Sequence, residues 1–252
     1  PTQLQRQLGA KTGGVGGSVL CTLRVPEDGT VAQPDDIVYR YILRGKATHE
    51  RASDLFSLMG DILTNADFGY SQTRVVEMLK ESKARYESAF RTSGQAYASL
   101  RISAGLNSAG LVNEATGGVS HYHKVLELLE KAQSDWPSLL GRLEAMRSKV
   151  LKRASSATVI NLTGDRKALD AASEQLGSFC AQLFSAGTSS TEPDWSSLSS
   201  LVAVKPNEAF SVPTQVNYVA KGGSLYKPGE VTSGADSVVR RFLSLDYLWN
   251  QV

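Results

Sequence analysis

The feature that most constrains this chain is a 12-residue run, residues 212–223, followed by a helical pattern that continues to the last residue, Val252. The run, VPTQVNYVAKGG, alternates small or apolar residues with polar ones and ends in two glycines, which is typical of a strand and a turn. The helical pattern after it has no stop signal. We therefore expect the sequence to end inside a folding unit. Such a chain can belong to an enzyme without carrying the residues of its reaction.

Length and charge set the broad class. With 252 residues, 41% of them hydrophobic, the chain can form one large domain or two ordinary ones. Lys and Arg number 27 and Asp and Glu 25, for a net charge of +2, so no strong field favours nucleic acid or an anionic membrane as partner. No run approaches the roughly 20 apolar residues of a membrane helix. The first residue is Pro1, and we expect the true N-terminus, with any targeting peptide, to lie upstream.

Two cysteines, Cys21 and Cys180, lie far apart and in no ligand spacing. Their apolar surroundings favour small buried side chains in a reducing compartment.

The periodicity predicts an α+β fold rather than a doubly wound α/β fold, with antiparallel or mixed sheets and helices packed on one face. Strands are predicted at residues 19–25, Ile37–Leu43, Thr158–Thr163 and Ala209–Ala220. Helices are predicted at residues 1–8 (ended by Gly9), 50–66, 71–100, 120–132, 135–150, 167–184 and from 236 onward. Asp135 and Ser120 are predicted N-caps, and Pro137 falls in a first turn.

The motifs that could carry chemistry are weak. His121 and His123 are two residues apart, and their side chains diverge on a helix, which favours a structural role over a metal site. His49-Glu50 has no second histidine four positions away, so neither HExxH nor HxxEH is present. The glycine run 13–17 precedes a strand and lacks the Gly-Lys-Ser/Thr ending of a phosphate loop, which favours a turn.

Three further features have ordinary explanations. The Asn161 glycosylation sequon lies in a predicted strand. Asp165 fits a Gly-Asp turn, and Arg240-Arg241 a solvated helix face. We therefore assign no catalytic, cofactor-binding or metal-binding residue to this chain.

Five motifs nevertheless resemble a known family when taken in order. They are Gly13-Gly-Val, Leu43-Arg-Gly-Lys46 with the DLFSLM helix that follows, GLVNEATGGVS (110–120), INLTGD (160–165) and PTQVNYV (213–219). The chain resembles, over nearly its whole length, the presequence proteases, organellar zinc metallopeptidases of the pitrilysin and insulysin superfamily.

The resemblance implies a four-unit enzyme that closes around a chamber and degrades cleaved targeting peptides and other short unfolded peptides in the chloroplast stroma or the mitochondrial matrix. It places this chain in the C-terminal half, where residues 1–184 are the later part of a third pitrilysin-like unit, 185–208 a Ser/Thr-rich linker and 209–252 the start of a fourth. Both units are expected to be incomplete. The zinc site, the general base and the C-terminal substrate-binding residues of the family would then lie outside this chain.

Two hypotheses remain open from the sequence. The chain is a non-catalytic wall or scaffold segment of a zinc metalloendopeptidase, or it is a stand-alone scaffold or peptide-binding protein that lost the catalytic half. A catalytic function of its own ranks a distant third. In either case we expect the unpaired strand at 209–220 and the apolar stripe of the last helix to favour self-association.

Overall fold

The computed structural model describes residues 2–184 and 207–251, without the side chains of residues 2, 152–157, 184 and 251. In this part of the chain, helices greatly outnumber strands. The helices are α1 (Thr2–Lys11), α2 (Ala52–Thr64), α3 (Gln72–Thr92), α4 (Gly94–Ala104), α5 (Ser108–Gly117), α6 (Val119–Ser134), α7 (Trp136–Ala157), α8 (Arg166–Phe184), α9 (Gly234–Phe242) and α10 (Leu248–Gln251). Short 3-10 turns span His49–Arg51 and Gly69–Ser71, and a π-helical turn, Leu243–Tyr247, joins α9 to α10.

Two antiparallel strands, β1 (Val15–Leu23) and β2 (Ile37–Gly45), form the sheet. At one end Lys46 N donates to Gly14 O at 3.2 Å, and at the other Arg24 N donates to Asp36 O at 2.9 Å, which fixes the register. Gly14 has a φ of 114°, a conformation that favours glycine. The predicted α+β class is confirmed, as are its first two strands, although β1 starts four residues earlier than predicted.

Two predicted strands are wrong. Residues 158–163 form an exposed irregular connection between α7 and α8, and residues 209–220 are also irregular. A strand requires a backbone partner, and within residues 2–184 and 207–251 neither segment has one. The alternation that suggests the second strand is nevertheless present, because residues 212, 214, 218 and 220 are half-buried while 213, 215, 217 and 219 are exposed.

The helix predictions are better in existence than in boundaries. α1 continues past Gly9 to Lys11, so the predicted C-terminal glycine is wrong. The predicted helix 71–100 is two helices, α3 and α4, divided at Ser93. α6 begins at Val119, so Ser120 is not its N-cap. Asp135 does cap α7, accepting from Ser138 N at 3.3 Å, with Pro137 in the first turn as predicted. Helix α5 has no counterpart among the predicted helices.

The described residues fall into two compact units. The first comprises those within 1–19, 41–85 and 124–194, and the second those within 20–40, 86–123 and 195–252. The domain limits predicted at 184 and 208 stay a prediction, and residues 185–206 of the predicted linker lie outside the described part of the chain.

The first unit is held by apolar helix packing. α2 buries Leu58 and Met59 and packs on α8, where the rings of Phe56 and Phe179 lie 5.1 Å apart. α1 is tied to α2 by Lys11 Nζ, 2.7 Å from an Asp54 carboxylate oxygen. The second unit has a small apolar core of Ile37, Ala109 and Val112, on which Cys21, Leu23, Tyr39 and Leu111 pack.

Candidate functional site

The predicted chemical motifs do not assemble into one site. His121 Nδ1 lies 2.7 Å from the Tyr86 hydroxyl, whereas the His123 ring lies beside Tyr122. His49 lies 3.8 Å from the Glu50 carboxylate at the surface. Within residues 2–184 and 207–251, no three His, Cys, Asp or Glu side chains come close enough to share a metal ion.

The glycine run and Asp165 have local structural partners. Gly13 N donates to Lys46 O at 2.7 Å where the hairpin opens, and the Lys46 side chain lies where a Cβ at Gly13 would be. Asp165 Oδ1 accepts from Ala168 N at 2.8 Å at the start of α8. Both cysteines are free and half-buried, and burial raises the pKa of the Cys21 thiol.

The arrangement with the strongest electrostatics is a buried network around Arg101, in the last turn of α4. Arg101 Nε and Nη2 donate to the two oxygens of Glu208, at 2.6 and 2.9 Å. Arg101 Nη1 donates to Glu114 Oε1 at 3.3 Å and to Ser120 Oγ at 3.1 Å. The guanidinium therefore joins two carboxylates and a hydroxyl. We call these four residues the Arg101 network.

The network is shielded from water. Glu114 is 0% exposed, and the side chains of Arg101 and Glu208 are 12% and 14% exposed. The carboxylates, with Glu208 first in importance, raise the pKa of Arg101, so the guanidinium stays charged. Charged groups are found this deeply buried only when they are paired, because an unpaired charge loses its hydration without compensation.

Glu114 is placed by the turn between α5 and α6. Its Oε1 also accepts from Ser120 N at 3.0 Å and from Ser120 Oγ at 3.1 Å, so the first turn of α6 holds the carboxylate. Gly118 lies against the other oxygen, and a Cβ there would overlap Oε2. Oε2 has no hydrogen-bond partner among the described residues. The Gly117-Gly118 pair thus gives the carboxylate its space.

The segment that carries Glu208 lies along α4. The Phe210 ring lies 5.8 Å from the Arg101 guanidinium carbon, a cation–π contact. Further along, the Tyr218 hydroxyl donates to Arg91 O at 2.6 Å, and a Cβ at Gly94 would overlap the Tyr218 ring. Gly222 then lies against Ile102. The segment is therefore fixed to α4 near both ends of that helix.

Chemically, the Arg101 network is suited to holding structure. Its two forked bonds and its buried counter-charge use an arginine as a bridge between segments distant in sequence. The side chain that bears a hydroxyl, Ser120, is engaged with Glu114 and Arg101 and lies beside no histidine in the network. The network therefore fastens the segment at 208 to helices α4, α5 and α6.

Sequence reasoning missed this network, although a signal for it exists. Arg101 is the only charged residue in the sequence of α4, and Glu114 is the only one in that of α5. A lone charge in each of two short neighbouring helices of small residues, with opposite signs, predicts a buried pair. Glu208 carries no comparable signal, since it lies 107 residues from Arg101.

Comparisons with known proteins match both parts of this network. The model of the associated domain of peptidase family 16C, a group of metallopeptidases, matches residues 2–128, which include Arg101, Glu114 and Ser120. A second model, described as "PreP C-terminal domain", matches residues 207–252, which include Glu208.

Two curated relatives align along the whole chain. Presequence protease 1, chloroplastic/mitochondrial, of Arabidopsis thaliana is 34% identical over 250 residues, which cover 99% of this chain and 22% of that protein. Protein HypA of Clostridium perfringens is 21% identical over 251 residues, covering 100% of this chain and 24% of that protein. The chain thus spans less than a quarter of the length of these relatives.

Proposed function

Because the chain belongs to the peptidase 16C-associated family, we propose that it is a non-catalytic segment of a zinc metalloendopeptidase that degrades cleaved targeting peptides and other short unfolded peptides. In this proposal the segment builds part of the wall of the chamber that holds the peptide. The observation that carries the proposal is the similarity to a presequence protease over 250 residues, with the two family matches in order along the chain.

The Arg101 network supports a scaffold role. Glu114 and Arg101 are turned toward each other and toward backbone and hydroxyl partners, which is how charged groups stabilise an arrangement of helices. A general base needs the opposite arrangement, in which the carboxylate faces space for a substrate or a water molecule. The one oxygen of Glu114 that lacks a partner among the described residues lies against Gly118.

The described residues do not fit a zinc site. Zinc in hydrolases is bound by three protein ligands with a position left for water. Of the histidines here, His121 already contacts the Tyr86 hydroxyl through Nδ1, and no third ligand accompanies His121 and His123 in the described ranges. We therefore place the zinc ligands of the proposed enzyme on polypeptide outside residues 1–252, and no step of the reaction is assigned to this chain.

The proposed location follows from the same relative, whose name describes it as chloroplastic/mitochondrial. We propose the chloroplast stroma, the mitochondrial matrix or both, where free thiols such as Cys21 and Cys180 stay reduced. None of the described helices is both long enough and apolar enough to cross a bilayer. We also retain the proposed division into a third unit ending at 184, a linker at 185–208 and a fourth unit from 209.

A chimera tests the proposal directly. The aligned 250 residues of Arabidopsis presequence protease 1 would be replaced by this chain, and cleavage of a fluorogenic unfolded peptide would be measured with and without a zinc chelator. We expect chelator-sensitive activity within about tenfold of the parent, equivalent to about 1.4 kcal/mol of transition-state stabilisation. A matched chimera that carries Protein HypA's aligned segment gives the tolerance of the scaffold to 21% identity.

The isolated 252 residues provide the second arm. We expect no chelator-sensitive peptidase activity from them, and measurable turnover would overturn the non-catalytic assignment. An inactive chimera that is folded, together with tight binding of unfolded peptides by the isolated chain, would instead favour the stand-alone peptide-binding alternative.

A further inference from the structure

The segment 207–223 has an unusual attachment to the rest of the second unit. Its residues are not in a helix or a strand, and its backbone is mostly exposed. Two of its backbone amides donate within the segment itself, Thr214 N to Val212 O and Val216 N to Thr214 Oγ1. The contacts that join it to α4 come instead from the side chains of Glu208, Phe210 and Tyr218, and from the close approach of Gly222 to Ile102.

We propose that Arg101 is a positioning residue that registers residues 207–223 on helix α4, and that Glu114 is the buried counter-charge that keeps its guanidinium aimed. The register brings the Tyr218 ring onto Gly94. This role is independent of the proposed peptidase function, because it depends only on contacts within the second unit.

The geometry of the guanidinium supports this role. Arginine presents a planar fork, and here the fork formed by Nε and Nη2 meets both oxygens of Glu208, at 2.6 and 2.9 Å. A two-point contact fixes the direction of the Glu208 side chain as well as its distance. Lysine could supply the charge at this position but only a single point of contact. The proposed register therefore requires an arginine.

The opposite side of the guanidinium explains why the fork points where it does. Nη1 donates to Glu114 Oε1 and Ser120 Oγ, and Glu114 is itself held by Ser120 N. Since Glu114 is fully buried beside Gly118, its position is fixed by α5 and by the start of α6. Arg101 thus has one carboxylate that belongs to the helices and a second one that belongs to the segment.

This asymmetry separates positioning from general stability. Removal of Glu208 leaves the Arg101–Glu114 pair intact and frees only the segment. Removal of Glu114 leaves Arg101 without its buried partner and disturbs the helices. A purely structural cluster would make no such distinction, because loss of any member would loosen all the surrounding elements together.

Gly94 provides a reporter for the register. Its α-carbon lies under the Tyr218 ring, so the ring current should shift the Gly94 α-proton signals upfield. The full 252-residue chain, labelled only at glycine α-carbons, gives one signal group per glycine. The variant Tyr218→Leu identifies the Gly94 signal and shows its position without the ring, while leaving Arg101, Glu114 and Glu208 unchanged.

We expect Glu208→Ala to move the Gly94 signal to its position in Tyr218→Leu, with the signals of Gly60 and Gly141 unchanged. Arg101→Met should produce the same shift. Arg101→Lys should give an intermediate position, since it restores the charge without the fork. Combining Arg101→Met with Glu208→Ala should produce no further change, because both variants break the same contact.

Three results would overturn the proposal. In the first, the Gly94 signal stays in place in a folded Glu208→Ala chain. In the second, Arg101→Lys behaves as the wild type, which would show that the fork is not needed. In the third, Glu208→Ala collapses all the dispersed glycine signals together, which would show a role in overall stability instead of register.

Discussion

Two regions of the second unit invert the usual distribution of side chains in opposite ways. Around α4 and α5 the chain buries a charge, since Glu114 is 0% exposed. Along α9 and α10 it exposes large apolar side chains, with Trp249 at 82% and Val238 at 70%. The buried charge is paired with Arg101 within the chain, whereas the apolar helix face has no comparable cover among the described residues.

The comparison teaches where each region finds its stabilising partner. A buried carboxylate without a partner is too costly to persist, so its partner must be present in the same fold. An exposed apolar face costs less and marks a surface that associates with something else. We therefore expect changes in the first region to act on folding and changes in the second to act on association.

Glu114→Ala should have the largest effect on folding. It leaves Arg101 largely buried with one of its two carboxylates missing, and loss of one partner of a buried pair costs about 3–5 kcal/mol. Denaturant unfolding followed by circular dichroism measures the free energy of unfolding. The control is Glu127→Ala, which removes the partner of Lys124 on the exposed face of α6 and should change stability little.

A double variant sharpens this prediction. Arg101→Met together with Glu114→Leu leaves no charge buried between the helices, so it should recover part of the loss. If the double variant is as unstable as the sum of its single variants, the two charges do not act as a pair.

Gly118→Ala should have the next largest effect. The added methyl group would overlap Glu114 Oε2, and the carboxylate cannot retreat without breaking its bonds to Ser120. Overpacking of this kind costs about 1–3 kcal/mol. The same unfolding experiment measures it.

Gly141→Ala is the matched control for that substitution. Gly141 lies inside α7 with no atom within 4 Å of a Cβ, so alanine there should stabilise the protein by about 0.5–1 kcal/mol. Equal losses at both positions would contradict the role of Gly118 in making space for the carboxylate.

Substitutions on the apolar helix test the other half of the comparison. Phe242→Lys and Trp249→Lys remove exposed apolar surface, at 57% and 82% exposure, and should change the free energy of unfolding by less than about 0.5 kcal/mol. The same variants should reduce self-association of the 252-residue chain, measured by light scattering over a range of concentrations. A wild-type chain that stays monomeric at all concentrations would contradict the prediction that this face is adhesive.

The contrast also explains how much the sequence could predict. α2 and α8 are predictable because their apolar residues repeat at helical spacing, and Asp135 is predictable as a cap because capping depends only on neighbours in sequence. α5 is missed because its small residues and Gly110 give little periodicity. The Arg101 network is missed because Glu208 lies 107 residues from Arg101, and no local pattern encodes such a contact.

The segment 209–220 shows a prediction that is partly right. Its alternation of half-buried and exposed positions is real, which is why the sequence resembles a strand. Alternation reports only which side chains face the protein, however, and it contains no information about a backbone partner. In this segment Tyr218, one of the half-buried positions, lies against Gly94 at the start of α4 and donates to Arg91 O.

The smallest expected effect is a pH dependence in the first unit, at a contact that is neither a deeply buried charge nor an exposed apolar face. Asp54 accepts from Lys11 at 2.7 Å and from Arg51 at 3.0 Å, and these bonds lower the pKa of Asp54 below its ordinary value. A lowered pKa means that the contribution to stability is present above the unfolded pKa of about 3.9 and is lost as the pH falls through the folded value. We therefore expect α1 to detach from α2 on acidification below about pH 4, measured as faster amide exchange in α1, whereas Asp54→Asn should show the faster exchange at neutral pH as well. Since Asp54 is partly exposed, salt should weaken the same contact, in contrast to the shielded pair of Arg101 and Glu114.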